Sequence, residues 1–76
     1  MQIDKSKLHK DQTVWYCYER RPDIMGPFLV KSFARDHRGL AVILRTPMGR
    51  VDERRVALAS DDDYGEPLFY NSAERE

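Results

Sequence analysis

Pro27-Phe28-Leu29-Val30-Lys31-Ser32-Phe33-Ala34-Arg35, then Asp36-His37-Arg38-Gly39, then Leu40-Ala41-Val42-Ile43-Leu44-Arg45 is the stretch on which the fold turns. Two runs rich in β-branched, aromatic and aliphatic residues flank a tetrad that begins with Asp and ends with Gly. The runs read as strands. The tetrad reads as a type I turn, with Gly39 taking a positive φ in a bulge. An antiparallel hairpin is the simplest object with that pattern.

The same device recurs downstream. Thr46-Pro47-Met48-Gly49 again ends on Gly, and Pro47 presets φ at the second turn position. Arg50 to Glu53 then forms a short strand around Val51, which completes a three-strand meander. Upstream, Thr13-Val14-Trp15-Tyr16-Cys17-Tyr18 has strand composition. Alternation sends Val14, Tyr16 and Tyr18 to one face and Trp15 and Cys17 to the other. Between the first two strands, Glu19 to Gly26 reads as a long loop, because Pro22 and Gly26-Pro27 punctuate it. Asp52 to Arg55 reads as a helical turn and Val56 to Leu58 as a closing strand. The predicted fold class is all-β: a five-stranded antiparallel small barrel over residues 13–58. Residues 1–12 read as a flexible lead-in and 59–76 as an acidic tail. Within that tail, Leu68-Phe69-Tyr70 is an apolar island able to dock back.

Length sets limits on function. The chain has 76 residues, 41% of them hydrophobic and 34% charged. Such a chain buries only about 60% of the surface it exposes when unfolded, so one thin core is all it can build. A deep, water-excluding catalytic pocket is not expected, and the chain reads as non-enzymatic. Cys17 is the only cysteine, so an internal disulfide is impossible, and a reducing cytoplasmic setting is expected. Met1 to Asp11 lacks the apolar core of a signal peptide. Leu40 to Leu44 is the longest apolar run, far short of the roughly 20 residues of a membrane helix.

Net charge is zero but unevenly spread. Residues 14–58 hold nine Lys/Arg against five Asp/Glu, whereas 59–76 hold one Arg against six acids. The acidic segment is therefore a candidate shield for the basic body.

Taken together, Val14-Trp15, Met25-Gly26-Pro27-Phe28-Leu29-Val30, Val42-Ile43-Leu44 and Val56-Ala57-Leu58 resemble the C-terminal barrel of integrases from long-terminal-repeat retrotransposons. The order of strand, long loop, meander, turn and closing strand is that of SH3-like barrels, including Tudor- and chromo-like ones. The resemblance covers residues 13–58. It departs at Val51 to Val56, where the family's closing segment is absent. It implies an SH3-like fold and, weakly, a nucleic-acid or chromatin-type partner. A free-standing barrel of this size equally suits an accessory protein of a phage or mobile element.

Candidate chemistry is sparse. His9 and His37 lack companions at metal-ligand spacing, and a zinc site needs about four ligands. Asp61, Asp63 and Gly65 echo a calcium loop, but Ser72 stands where its bidentate Glu belongs. No metal or cofactor is expected. Two partner classes remain. A protein partner would meet Trp15, Tyr16, Tyr18, Arg20, Arg21 and Met25, since Trp, Tyr and Arg anchor interfaces. A nucleic acid would meet Arg35, Arg38, Arg45, Arg50, Arg54 and Arg55 through its phosphates. Net neutrality favours the protein partner, because nucleic-acid modules are plainly basic. An exposed strand edge could also pair two copies.

Overall fold

Val14, Tyr16, Phe28, Val30, Val42 and Leu44 each fall on the apolar phase of a period-2 pattern, and all six are buried together. A computed structural model describes residues 1–46 and 52–73 of the chain. Six strands form one antiparallel sheet: β1 (Gln2–Ile3), β2 (Thr13–Tyr18), β3 (Arg21–Asp36), β4 (Gly39–Arg45), β5 (Glu53–Ala57) and β6 (Pro67–Tyr70). Their spatial order is β1-β6-β2-β3-β4-β5. The middle of the sheet is the expected meander, with Val42 opposite both Phe33 and Val56. Gly39 has φ +106°, which supplies the positive φ the turn demands.

Three expectations need correction. The predicted loop Glu19 to Gly26 shrinks to a two-residue turn at Glu19 and Arg20, because Tyr18 already pairs with Arg21. The rest of the segment is the first part of a 16-residue strand. Pro22 and Pro27 fit because register shifts interrupt the β2–β3 ladder between Val14 and Tyr18, where a missing N–H breaks no regular pairing. The predicted helical turn at Asp52 to Arg55 is strand β5 from Glu53 onward, paired residue by residue with β4. Glu and Arg favour helices in isolation, but the free edge of β4 decides the matter here. Among the described residues there are six strands: both ends of the chain join the sheet, and β5 runs from Glu53 through the start of the predicted closing strand. The Pro47 to Gly49 turn and the strand around Val51 lie outside the described residues.

The chain ends are integral to the sheet. β6 inserts between β1 and β2, with Phe69 opposite both Ile3 and Tyr16. Phe69 is fully buried and stacks on Tyr16 at 5.9 Å between centroids. Leu8, from the segment read as a lead-in, is also in the core. Asp11 N–H donates to Val30 C=O, and Val30 N–H donates to Gln12 C=O, tying that segment to the bend of β3. Each large side chain buried here contributes about 1.5–3 kcal/mol.

The sheet curls over its core. Arg54 on β5 reaches the Tyr16 hydroxyl on β2 at 2.9 Å, although two strands separate them in the sheet. At the other edge, Lys5 Nζ donates to Leu58 C=O at 2.9 Å. The residues following the two edge strands are therefore drawn together. Among the described residues, β1 and β5 are not paired with each other and remain the sheet's edges.

Candidate functional site

Tyr16 and Tyr18 lie two residues apart on β2, and so on one face. Their rings meet edge to face at 5.8 Å. Tyr16 is buried, whereas Tyr18 is half-buried at the end of the strand. Its outer side is covered by Tyr64, whose ring lies 5.5 Å away. Arg21, the first residue of β3, places its guanidinium 5.4 Å above the Tyr64 ring. This is cation–π range.

A small turn delivers Tyr64 to that position. Asp61 Oδ1 accepts from the N–H groups of Asp63 and Tyr64 at 2.8 and 3.0 Å. Asp61 and Gly65 exchange backbone hydrogen bonds, and Gly65 has φ +82°. A side chain at Gly65 would also strike Glu19, whose Oε1 would lie 2.9 Å from the added Cβ. Glu19 Oε1 accepts from Glu66 N–H, and Arg20 N–H donates to Tyr64 C=O, both at 2.9 Å. The turn is thus fastened to the tip of the β2–β3 hairpin.

Arg54 completes the other end. Its guanidinium lies 5.2 Å above the Phe28 ring, donates to the Tyr16 hydroxyl and reaches Met25 Sδ at 3.6 Å. Arg21, Tyr64 and Tyr18 thus form a surface row, a rim which the buried Tyr16 joins from beneath to Arg54 and the neighbouring Met25. Burial, followed by the fields of Tyr16 and Asp61, holds the Tyr18 phenol above its ordinary value. Tyr18 therefore stays a neutral hydroxyl through the physiological range.

The predicted protein-binding residues divide between two faces. Tyr16, Tyr18, Arg21 and Met25 come together on the rim. Arg20 is exposed in the turn beside them. Trp15 points to the opposite face, half-buried against the Cα of Gly26. The predicted phosphate-binding arginines do not share a face. Arg54 belongs to the rim, and Arg55 pairs with Asp36 at 2.7 Å. Arg45 lines a cleft with Lys10, Lys31 and Ser32. Arg35 and Arg38 sit at the β3–β4 end, and Arg50 lies outside the described residues.

Tyr64 is the rim residue that reading the chain did not pick out. Its signal was an Asp three residues earlier and a Gly one residue later, which together mark an Asx turn that aims the intervening side chain. The shield expected of the acidic segment takes another form. Glu66 pairs with Lys5 at 2.8 Å, and Asp61 binds its own turn. Among the described residues, no three His, Cys, Asp or Glu side chains gather to hold a metal ion. Among the described residues, no helix is long and apolar enough to cross a membrane. Cys17 is a free, fully buried thiol. Comparison with family models, curated proteins and solved structures finds no match to this chain.

Proposed function

We propose that this chain is a non-enzymatic protein-interaction module, a small regulator or inhibitor built as an SH3-like curled barrel. The barrel assignment is supported by the contact of Arg54 with Tyr16 across two intervening strands and by that of Lys5 with Leu58, which brings together the residues following the two edge strands. The observation that carries the functional reading is the rim. Tyr64 is 37% exposed, one of the few large apolar side chains so presented. It sits against Tyr18 with Arg21 above its ring, and Arg54 lies beyond the buried Tyr16. Tyr and Arg held rigid beside half-buried rings are what interface hot spots are made of. Their ordering cost is already met within the free protein, which favours binding.

The test is a pull-down from host lysate with and without nuclease, using the full chain and its Tyr64→Ala variant. A specific band that survives nuclease and is lost with Tyr64→Ala is expected. A band that disappears with nuclease overturns the proposal.

A second reading, weak nucleic-acid binding, has one observation in its favour. Lys10, Lys31 and Arg45 line one cleft of about 410 Å³, together with Asp11. Lys31 already pairs with Glu53, however, which removes much of that cleft's charge. On this reading, oligonucleotide affinity falls steeply between about 50 and 200 mM salt. On the first reading, affinity for the partner changes far less.

A further inference from the structure

We infer that β5 pairs antiparallel with β5 of a second copy of this chain, about a two-fold axis at Val56, so that two sheets join into one. The inference stands apart from the rim and adds a second interaction surface to it.

The backbone of β5 presents an open ladder. β5 is an edge of the sheet, and antiparallel ladders bond alternate residues to a given neighbour. Asp52 C=O accepts from Thr46 N–H, and Leu58 N–H donates to Leu40 C=O. The residues bonded to β4 are therefore Asp52, Arg54, Val56 and Leu58. Glu53, Arg55 and Ala57 direct their N–H and C=O groups away from the sheet. Among the described residues, no strand pairs with them on that side.

Charged side chains ordinarily guard such an edge. β5 carries Glu53, Arg54 and Arg55, and each leans away from the open side. Glu53 reaches across β4 to Lys31 on β3. Arg55 crosses β4 in the same way to Asp36 at the end of β3. Arg54 passes over the core to the Tyr16 hydroxyl on β2 and the Phe28 ring on β3. The strand's remaining residues are Val56, buried in the core, and the small Ala57.

Charge and chain path then select one two-fold register. Centring on Glu53, Arg54 or Arg55 would set like charges directly opposite, which destabilises a pair. Centring on Ala57 would call on Ala59, where the chain has already bent out of the strand. Centring on Val56 uses only residues within β5. Val56 then faces its counterpart, and Arg55 of each copy faces Ala57 of the other. Each Arg55–Ala57 pair exchanges both of its N–H···O bonds, and no like charges are opposed. The chain's zero net charge sets up no long-range repulsion between copies. The contact is isologous, so it closes at two copies.

The test is sedimentation velocity of the full chain from about 1 μM to 1 mM, the range of weak affinities that suits a small contact. The mass should rise from the 9.0 kDa of one chain to twice that value. Ala57→Pro deletes an outward N–H and leaves the bonds to β4 in place; it should weaken association about tenfold or more, since the bond is lost twice per dimer. Ala57→Lys should weaken association and Ala57→Glu should strengthen it, because residue 57 faces Arg55 of the other copy. Each change should be about two- to thirtyfold, as two such pairs form per dimer. Tyr64→Ala should leave association unchanged. Far-ultraviolet circular dichroism checks that each variant is folded. Should Ala57→Pro disturb the strand, the opposed Lys and Glu variants carry the test.

A single-chain mass at every concentration would overturn the inference. So would a mass that climbs past two copies, or Lys and Glu variants that shift association in the same direction. Association that is lost with Tyr64→Ala and indifferent to residue 57 would overturn it in favour of the rim.

Discussion

Replacing Phe69 by Ala tests whether the chain's last strand belongs to the fold. Phe69 is fully buried, stacks on Tyr16 and lies opposite Ile3 on β1 and Tyr16 on β2. Its removal leaves a hole at the centre of a core that includes Val14, Phe28 and Leu44. Phe→Ala at such a site costs about 3–5 kcal/mol. A 76-residue domain has a total stability of about 4–11 kcal/mol. The variant should therefore lose a large part of its stability. At about 4–8 °C per kcal/mol for a domain this small, Tm falls by roughly 12–40 °C. Thermal melting followed by far-ultraviolet circular dichroism reads this directly. Leu68→Ala is the control, because Leu68 is only half-buried and points to the other face. It should cost about 1 kcal/mol, near the centre of the distribution for point substitutions. If Phe69→Ala melts within about 4 °C of the parent, a loss worth less than about 1 kcal/mol, residues 67–70 are not part of the sheet. The fold would then end at β5.

Three further outcomes are accessible. Gly26→Ala would put a Cβ 2.4 Å from Trp15 Cδ1 at a backbone φ of +152°; a loss of about 1–3 kcal/mol is expected, with a changed tryptophan emission, and an unaltered melt and spectrum would show that Trp15 does not lie on Gly26. A double-mutant cycle between Arg54 and Phe28, measured by urea unfolding, should return a coupling of about 0.5–1 kcal/mol, and zero coupling would remove Arg54 from the ring. Tyr18 binds its proton more tightly in the folded chain than in the unfolded one, where its value is the ordinary 10.0. Stability should then be level below pH 10.0 and decline above it as the unfolded chain ionises first. Tyr18→Phe should flatten that decline in alkaline melts; an equally steep decline in the variant would refute the assignment.

The hairpin at Gly39 and the core face of β2, β3 and β4 are legible in the chain because they obey local rules. Val14 and Tyr16, Phe28 and Val30, and Val42 and Leu44 alternate cleanly, and Asp36 to Gly39 has the composition its turn requires. What escapes reading has a physical cause in each case. The β2–β3 turn is Glu19-Arg20, with none of the Asn or Gly that marks a two-residue hairpin. Pro22 and Pro27 read as breakers, because bulges that accommodate them depend on a partner strand invisible in one dimension. β5 carries helix-favouring Glu53, Arg54 and Arg55, and becomes a strand only because β4 has a free edge. Of the site, Tyr16, Tyr18, Arg21 and Met25 were readable as aromatic and arginine neighbours in sequence. Arg54 was assigned to a different surface because its place across the core depends on the curl of the sheet.

The Asp61-Asp62-Asp63 run shows why charge pattern alone misleads here. Such a run usually solvates a break in the chain. Here Asp61 spends its carboxylate on two backbone N–H groups, and the tight turn that results aims Tyr64 at Tyr18 and Arg21. The rim draws on residues distant in sequence: Tyr18 and Arg21 from one hairpin, Arg54 from the far edge strand and Tyr64 from the connection into β6. None of these is positioned by its own neighbours alone. Arg54 meets Tyr16 only when the sheet is curled, and Tyr64 is held only when β6 has entered beside β2. The rim is therefore a property of the completed sheet. A substitution that loosens β6 should weaken binding even though β6 does not itself supply the rim. Binding and folding in this chain share one cooperative unit, and a partner that engages the rim stabilises the sheet in proportion to its affinity.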